Sequence, residues 1–392
     1  MPVIAEVEAI VLQASERDPN DFDSSSETVV VVIHDDDGRV GIGEADAPAP
    51  VVAELVSMDD RHAWSRGLRG VLLGRDPFEI EALHRDLYQA TIYHGRRGLG
   101  IHALSAVDVA LYDLVGKQLG RPAYQLLGGA CRDSIRPYAT IYPGVPGDRT
   151  IGELMDELAR GFERALGLGF RALKMEAFFG DLVGDRELVG CIQEGRRLVG
   201  DDTTLLVDFG YRWSDWRAAL WTLNRLEDCD LYLAEATLQH DDLEGHAKLA
   251  ASTETRIGGA EMAATRFECR EWIERGCVDV LQPDVNRAGG LTELARIAQI
   301  AELAGVLVVP HGWKTGITAA AARHLQAATP NVPLVEHLSP DLFDSPLRRE
   351  LVTPEPAIVD GAMELPTAPG LGIELDAAAV ERYRTDTASR SS

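Results

Sequence analysis

The sequence predicts an α/β protein: a TIM-type (β/α)8 barrel preceded by an α+β N-terminal capping domain. Three observations carry this expectation. From about residue 135, eight short apolar runs alternate with amphipathic segments, the pattern of βαβ units around a parallel sheet. These units occupy about 210 residues, the size of such a barrel, with a doubly wound open sheet as the structural alternative. Ahead of them lies a unit of about 125 residues in which strands come first and helices follow.

Taken in order, residues 3–13 and 28–45 read as strands, the second stretch split by Asp35-Asp36-Asp37-Gly38, whose small polar residues and glycine suit a hairpin turn. The polar segment 15–27, rich in Ser and Asp, predicts a mobile loop. Helical periodicity follows at 50–72, 77–90 and 101–119, where Leu104, Val107, Leu111, Leu114 and Val115 share one face. Barrel strands are expected at 137–141, 171–176, 204–209, 232–236, 256–261, 278–284, 306–311 and 334–338. The segments between them read as helices. The expected division is a cap over 1–127, a barrel over 128–355 and a returning C-terminal segment over 356–392 that frays from Thr385.

Composition narrows the function. Of 392 residues, 63 are Asp or Glu and 38 are Lys or Arg, a net charge of −25. Such a surface repels phosphate backbones and anionic lipid heads, so neither nucleic acid nor membrane is the expected partner. A small molecule is. Only four of the basic residues are lysines: Lys117, Lys174, Lys248 and Lys314. The five cysteines are scattered without a C-x-x-C pair, which suggests neither a disulfide framework nor a thiolate zinc site and fits a reducing cytoplasm. No signal peptide and no run of about 18 apolar residues is apparent.

Nearly every predicted barrel strand finishes in a residue able to do chemistry: Lys174 and Glu176, then Asp208, Glu235, Glu261, Asp284, His311 and Glu336. In a barrel these gather at the C-terminal mouth, where active sites of this fold are built. One such acid alone would serve as a helix cap; a succession of them argues for a site. Asp208, Glu235 and Glu261 end three consecutive strands and form a hard, anionic oxygen set suited to Mg2+. Asp284 and His311 end the next two. A carboxylate on one imidazole nitrogen fixes the tautomer and raises the basicity of the other, the arrangement of a general base.

These residues carry a resemblance to the enolase superfamily, in its mandelate racemase-like subgroup, over almost the whole chain. The stretch Ala103 to Asp113 resembles the family's N-terminal signature, and Gly169 to Glu176 stands where the family has a second-strand K-x-K-like motif. Asp208, Glu235 and Glu261 match its metal ligands, Gln282-Pro283-Asp284 with His311 its Asp–His dyad, and Glu336 its eighth-strand glutamate. The resemblance implies abstraction of the proton α to a carboxylate, an enediolate held by Mg2+, a hydrogen bond from Glu336 to the carboxylate oxygen that gains charge, and a homo-oligomer.

Two departures shape the expectation. Where racemases carry a second lysine, this chain has Glu176, which leaves His311 as the one clear base and favours a dehydratase acting on an acid sugar. Epimerisation, racemisation or dehydration of a hydroxylated amino acid, with Lys174 or Glu176 serving the second face, is the alternative, and a non-catalytic barrel scaffold is a third. Asp208-Phe209-Gly210 lacks the Asn that the family commonly has two residues after this ligand. Glu176, Lys174 and Arg212 are candidates for substrate binding, Arg212 through a bidentate carboxylate contact. The 15–27 loop and Tyr93-His94-Gly95-Arg96-Arg97 would belong to the cap that selects substrate. Lys314 reads as a solvated helix start.

Overall fold

The computed structural model describes residues 2–14 and 25–385. Most of the predicted 15–27 loop, and the tail beyond Thr385, lie outside the described residues. The cap begins with an antiparallel meander of Ile4–Gln13, Glu27–Asp35 and Val40–Ala45, in register Ile10 to Val30 and Val31 to Gly43. Helix Leu99–Leu119 lies across this sheet. Two glycines allow that approach: a Cβ on Gly43 would fall 2.0 Å from the Ala106 carbonyl oxygen, and one on Gly41 would fall 2.2 Å from that of Ala110.

The helix predicted over 50–72 is two helices, Ala49–Ser57 and Leu68–Leu72. Val52, Val56, Leu68 and Leu72 are buried, but residues 59–64 between them are exposed, so that turn has no apolar face to dock. A further helix, Ile80–Ala90, completes the cap.

Helix Leu99–Leu119 is long and apolar enough to cross a membrane by length and composition, yet 89% of its most apolar window is buried inside the protein. Its polar residues explain why. Ser105 Oγ accepts from the Gly289 amide at 2.8 Å and Asp108 Oδ2 from the Thr292 amide at 2.9 Å, tying the cap to a barrel helix. Asp113 accepts from the Ile42 amide at 3.0 Å and the Leu371 amide at 2.7 Å, so the same helix holds the returning C-terminal segment. The Ala103 to Asp113 signature is joinery between the parts of the fold.

The barrel sheet has eight parallel strands in sequence order, the eighth pairing with the first: Pro137–Ile141, Ala172–Glu176, Thr204–Asp208, Leu231–Glu235, Ile257–Gly259, Val280–Leu281, Leu307–Val308 and Val335–Glu336. Helices separate them, and Tyr138, Ala172, Leu206, Leu233, Val280, Val309 and Leu334 form one buried cluster from seven of the eight strand segments. The fold is therefore a TIM-type barrel with an α+β cap. The fifth to eighth strands are two or three residues long, shorter than predicted. Glu261, Asp284 and His311 consequently stand on the loops just beyond their strands rather than at the strand ends.

The C-terminal segment runs back along the barrel and the cap. Met363–Glu364 pairs with Ser134–Ile135, and helix Ala377–Tyr383 leads to a bridge between Arg384 and Leu12 of the cap. Glu355 anchors this segment by accepting from buried Arg348 at 2.6 and 2.9 Å and pairing with His337 at 2.9 Å. Glu355→Ala leaves the Arg348 guanidinium buried without its counter-charge, and a loss of about 3 kcal/mol in denaturant unfolding is expected.

Candidate active site

A cavity of 550 Å³ opens at the C-terminal mouth of the barrel. Lys174, Glu176, Asp208, Glu261, Arg287 and His311 line it, and Tyr142, Phe178, Trp213 and Trp313 supply an aromatic wall. The strand register pairs Glu176 with Asp208 and Asp208 with Glu235, so three carboxylates lie side by side on neighbouring strands. Sequence order alone brings the remaining groups round to meet them.

Lys174 is 1% exposed. Its Nζ lies 2.8 Å from Glu235 Oε1, 3.0 Å from Glu336 Oε1 and 3.8 Å from Asp208 Oδ2. Burial disfavours its charge, but Glu235 and Glu336 outweigh burial and hold the amine well above its usual pKa. Lys174 is thus a buried cation. Glu336 accepts from Lys174, from the Gly312 amide at 2.8 Å and from the Thr140 hydroxyl. Against the cost of burial, Lys174 and His311 lower its pKa to about 2. These donors favour the ionised form of Glu336.

His311 Nδ1 stands 2.6 Å from Asp284 Oδ2, and its Nε2 lies 4.0 Å from Glu261 Oε2. Burial works against the imidazolium, but Glu261 and Asp284 prevail and raise its pKa to about 9. Asp284 is itself positioned by the Asn286 amide, which donates to Oδ1 at 2.6 Å. Glu176 is 6% exposed, and burial above all raises its pKa to about 8, which favours its protonated form.

The donor set fits a divalent cation. Asp208 is held well above the usual carboxylate range by burial and by the charges of Glu235 and Glu261, the mark of crowded carboxylates in need of a counter-ion. Each is currently held by protein groups: Glu235 by Lys174 and by the Gln282 amide at 2.6 Å, Glu261 by the Tyr211 hydroxyl at 2.5 Å, and Asp208 by the Gly210 amide at 2.9 Å. Asp208 and Glu261 line the mouth, while Glu235 is buried against Lys174. Among the described residues, the group of three whose ligand atoms lie within 4.8 Å of one another is Glu6, Glu8 and His34 on the cap sheet.

Two basic residues have partners that the sequence did not show. Arg212 lines the cavity, but its Nε donates to Asp185 at 3.0 Å and an Nη to the Val183 carbonyl at 2.7 Å, fastening the loop after the second strand. Lys314 is buried, not solvated, with Nζ 3.0 Å from the Glu27 carbonyl oxygen and 3.2 Å from Asp46 Oδ1. The Tyr93 to Arg97 segment is absent from the cavity lining; Tyr93 stacks on Trp64 and Arg97 pairs with Glu268.

Sequence reasoning missed a cap-to-barrel clamp around the dyad. Asp46 pairs with both Arg287 and Lys314, which flank Asp284 and His311 in sequence. Two residues earlier, Glu44 is fully buried and accepts from the Thr315 hydroxyl at 2.9 Å and the Thr318 amide at 2.8 Å, at the start of the helix that follows His311. Arg287 and Tyr211 each stand three residues after an aspartate that the sequence predicts at a strand end, the one signal that marked them. Arg287→Met is expected to strip the clamp of its cavity-lining cation and to raise KM for an acid substrate more than it lowers kcat, checked by steady-state kinetics.

Two family models match the chain: the mandelate racemase/muconate lactonizing enzyme N-terminal domain over residues 17–128, and an enolase C-terminal domain-like model over 157–379. The chain belongs to the mandelate racemase/muconate lactonizing enzyme family of the enolase superfamily. Within it, the chain is 33% identical to D-galactarolactone cycloisomerase of Agrobacterium fabrum, over 91% of each chain. It is 31% identical to D-gluconate dehydratase of Thermoproteus tenax, over 98% of this chain and 75% of that protein. A solved racemase from Streptomyces coelicolor A3(2) with bound magnesium superposes with a TM-score of 0.83 at 27% identity, covering 98% of this chain and 100% of that one. One family scaffold thus carries relatives named for three reaction outcomes.

Proposed function

We propose that this protein is a Mg2+-dependent dehydratase of an acid sugar, a hydro-lyase that converts a 2,3-dihydroxy acid to a 2-keto-3-deoxy acid. The observation that carries the reading is the His311–Asp284 pair at 2.6 Å, at a cavity also lined by Glu176, whose protonated form burial favours, and by an ionically committed amine, Lys174. Relatives named dehydratases of gluconate, arabinonate and rhamnonate support it.

Asp208, Glu235 and Glu261 would hold the Mg2+, with Lys174 and Glu336 as buried counter-charges beside them. When bound, the metal supplies a Lewis acid that draws charge from the substrate carboxylate and makes the α-proton removable. Asp284 fixes the His311 tautomer so that Nε2 faces the cavity; with the metal held, the Glu261 charge that favours the imidazolium would be offset, and the neutral ring would take the α-proton. The resulting imidazolium then returns a proton to the β-hydroxyl as it leaves, and the enol tautomerises to the keto acid. A second-face base is missing from this account because Lys174 is charged and locked between carboxylates. Glu176, cavity-lining and favoured in its protonated form, suits a substrate hydroxyl, and Arg212 and Lys174 complete the polar wall. The division into cap (1–127), barrel (128–355) and returning segment (356–392) belongs to the same reading.

Incubation of the Mg2+-loaded protein with a panel of aldonic and aldaric acids, assayed for 2-keto acid, is expected to show turnover with at least one member. Solvent deuterium at the α-carbon of recovered substrate, without keto acid, would point to epimerisation instead. Neither product from a broad panel would overturn the reading.

A further inference from the structure

A second cavity, of 560 Å³, lies on the N-terminal side of the first barrel strand, between that strand's lead-in and the returning C-terminal segment. Its walls are stiff, with Pro354, Pro356 and Pro366 among them and Leu371 as an apolar contact. Arg323, on helix Gly316–Ala328, also lines it and is 7% exposed. Among the described residues this guanidinium has neither hydrogen bond nor ion pair, and its Nε is sealed from solvent without a partner.

Such an ion is expensive to bury, because the desolvation cost of several kcal/mol is offset only by a counter-charge. Burial accordingly pushes its pKa down to about 10. The nearest carboxylate in charge terms, Glu355, is already engaged by Arg348 and His337, and Arg348 itself repels Arg323. The two carboxylates in the lining, Asp133 and Glu364, are exposed, at the rim rather than the floor. A cavity with one buried, unanswered arginine in its wall has the chemistry of an oxyanion receptor.

We propose that the Arg323 cavity is a second ligand site, separate from the barrel mouth, that binds a small oxyanion through a carboxylate or phosphate group. The guanidinium fork supplies the polar contact and the proline walls the shape.

Calorimetric titration of the full-length protein with inorganic phosphate and with succinate tests this, the stronger probe distinguishing phosphate from carboxylate preference. Saturable binding of at least one probe is expected, weakened about 10- to 100-fold in Arg323→Met, as loss of a charged hydrogen bond predicts, and retained in Arg287→Met, which removes a cation from the other cavity. Should Arg323→Met fail to fold, Arg323→Lys keeps the charge without the fork and is expected to bind more weakly than wild type. No saturable binding up to about 10 mM, binding unchanged in both Arg323 variants, or loss of binding in Arg287→Met overturns the proposal. A change in oligomeric mass by light scattering in Arg323→Met, with anion binding unaffected, would assign the arginine to a protein contact and overturn it too.

Discussion

Exchanging His311 for asparagine is expected to lower turnover on the acid substrate by about 10³- to 10⁴-fold, the range over which a positioned acid–base group acts. The effect should fall on kcat, because asparagine fills a similar space in the 550 Å³ cavity while removing the group that accepts the α-proton and later protonates the leaving hydroxyl. Asp284→Asn is expected to act in the same direction: its Oδ2, 2.6 Å from Nδ1, is what sets the tautomer. Both variants should fold normally, since the dyad stands on loops beyond the short fifth to eighth strands and contributes little to the ladder. Kinetics with thermal unfolding as the control separates the two outcomes.

Asp208→Asn is expected to have the second largest effect. The carboxylate is crowded by Glu235 and Glu261, and its replacement removes one of three proposed ligands. With metal assistance worth several kcal/mol, activity should fall on the order of 10³-fold. Titration of Mn2+ or Mg2+ should show weakened binding in parallel. Because Asp208 is held well above the usual carboxylate range, this variant is also expected to unfold no more readily than wild type in the absence of metal. A loss of activity accompanied by unchanged metal affinity would place Asp208 outside the metal site.

The sequence was most legible where period and spacing are local. The eight strand segments announce themselves as apolar runs, and the acids that follow them are visible because a parallel barrel sends every such residue to one mouth. It was least legible where a partner comes from far along the chain. Lys314 looks like a solvated helix start until Asp46, 268 positions earlier, is seen to pair with it. Arg212 carries the charge of a substrate ligand, but the fold spends its Nε on Asp185. The role of Glu336 depended on Thr140 and Lys174, neither adjacent in sequence, which supply the donors that keep it ionised. The split of the predicted 50–72 helix followed from a patch of the core that does not exist beneath residues 59–64.

The most direct test of α-proton removal by the His311–Asp284 pair is proton NMR of turnover in D2O, with Mg2+ and an acid that yields keto acid. Dehydration with proton return to carbon predicts one deuterium at C3 of the 2-keto-3-deoxy product, formed by wild type and lost together with product in His311→Asn. Product formed at an undiminished rate by His311→Asn would contradict the account.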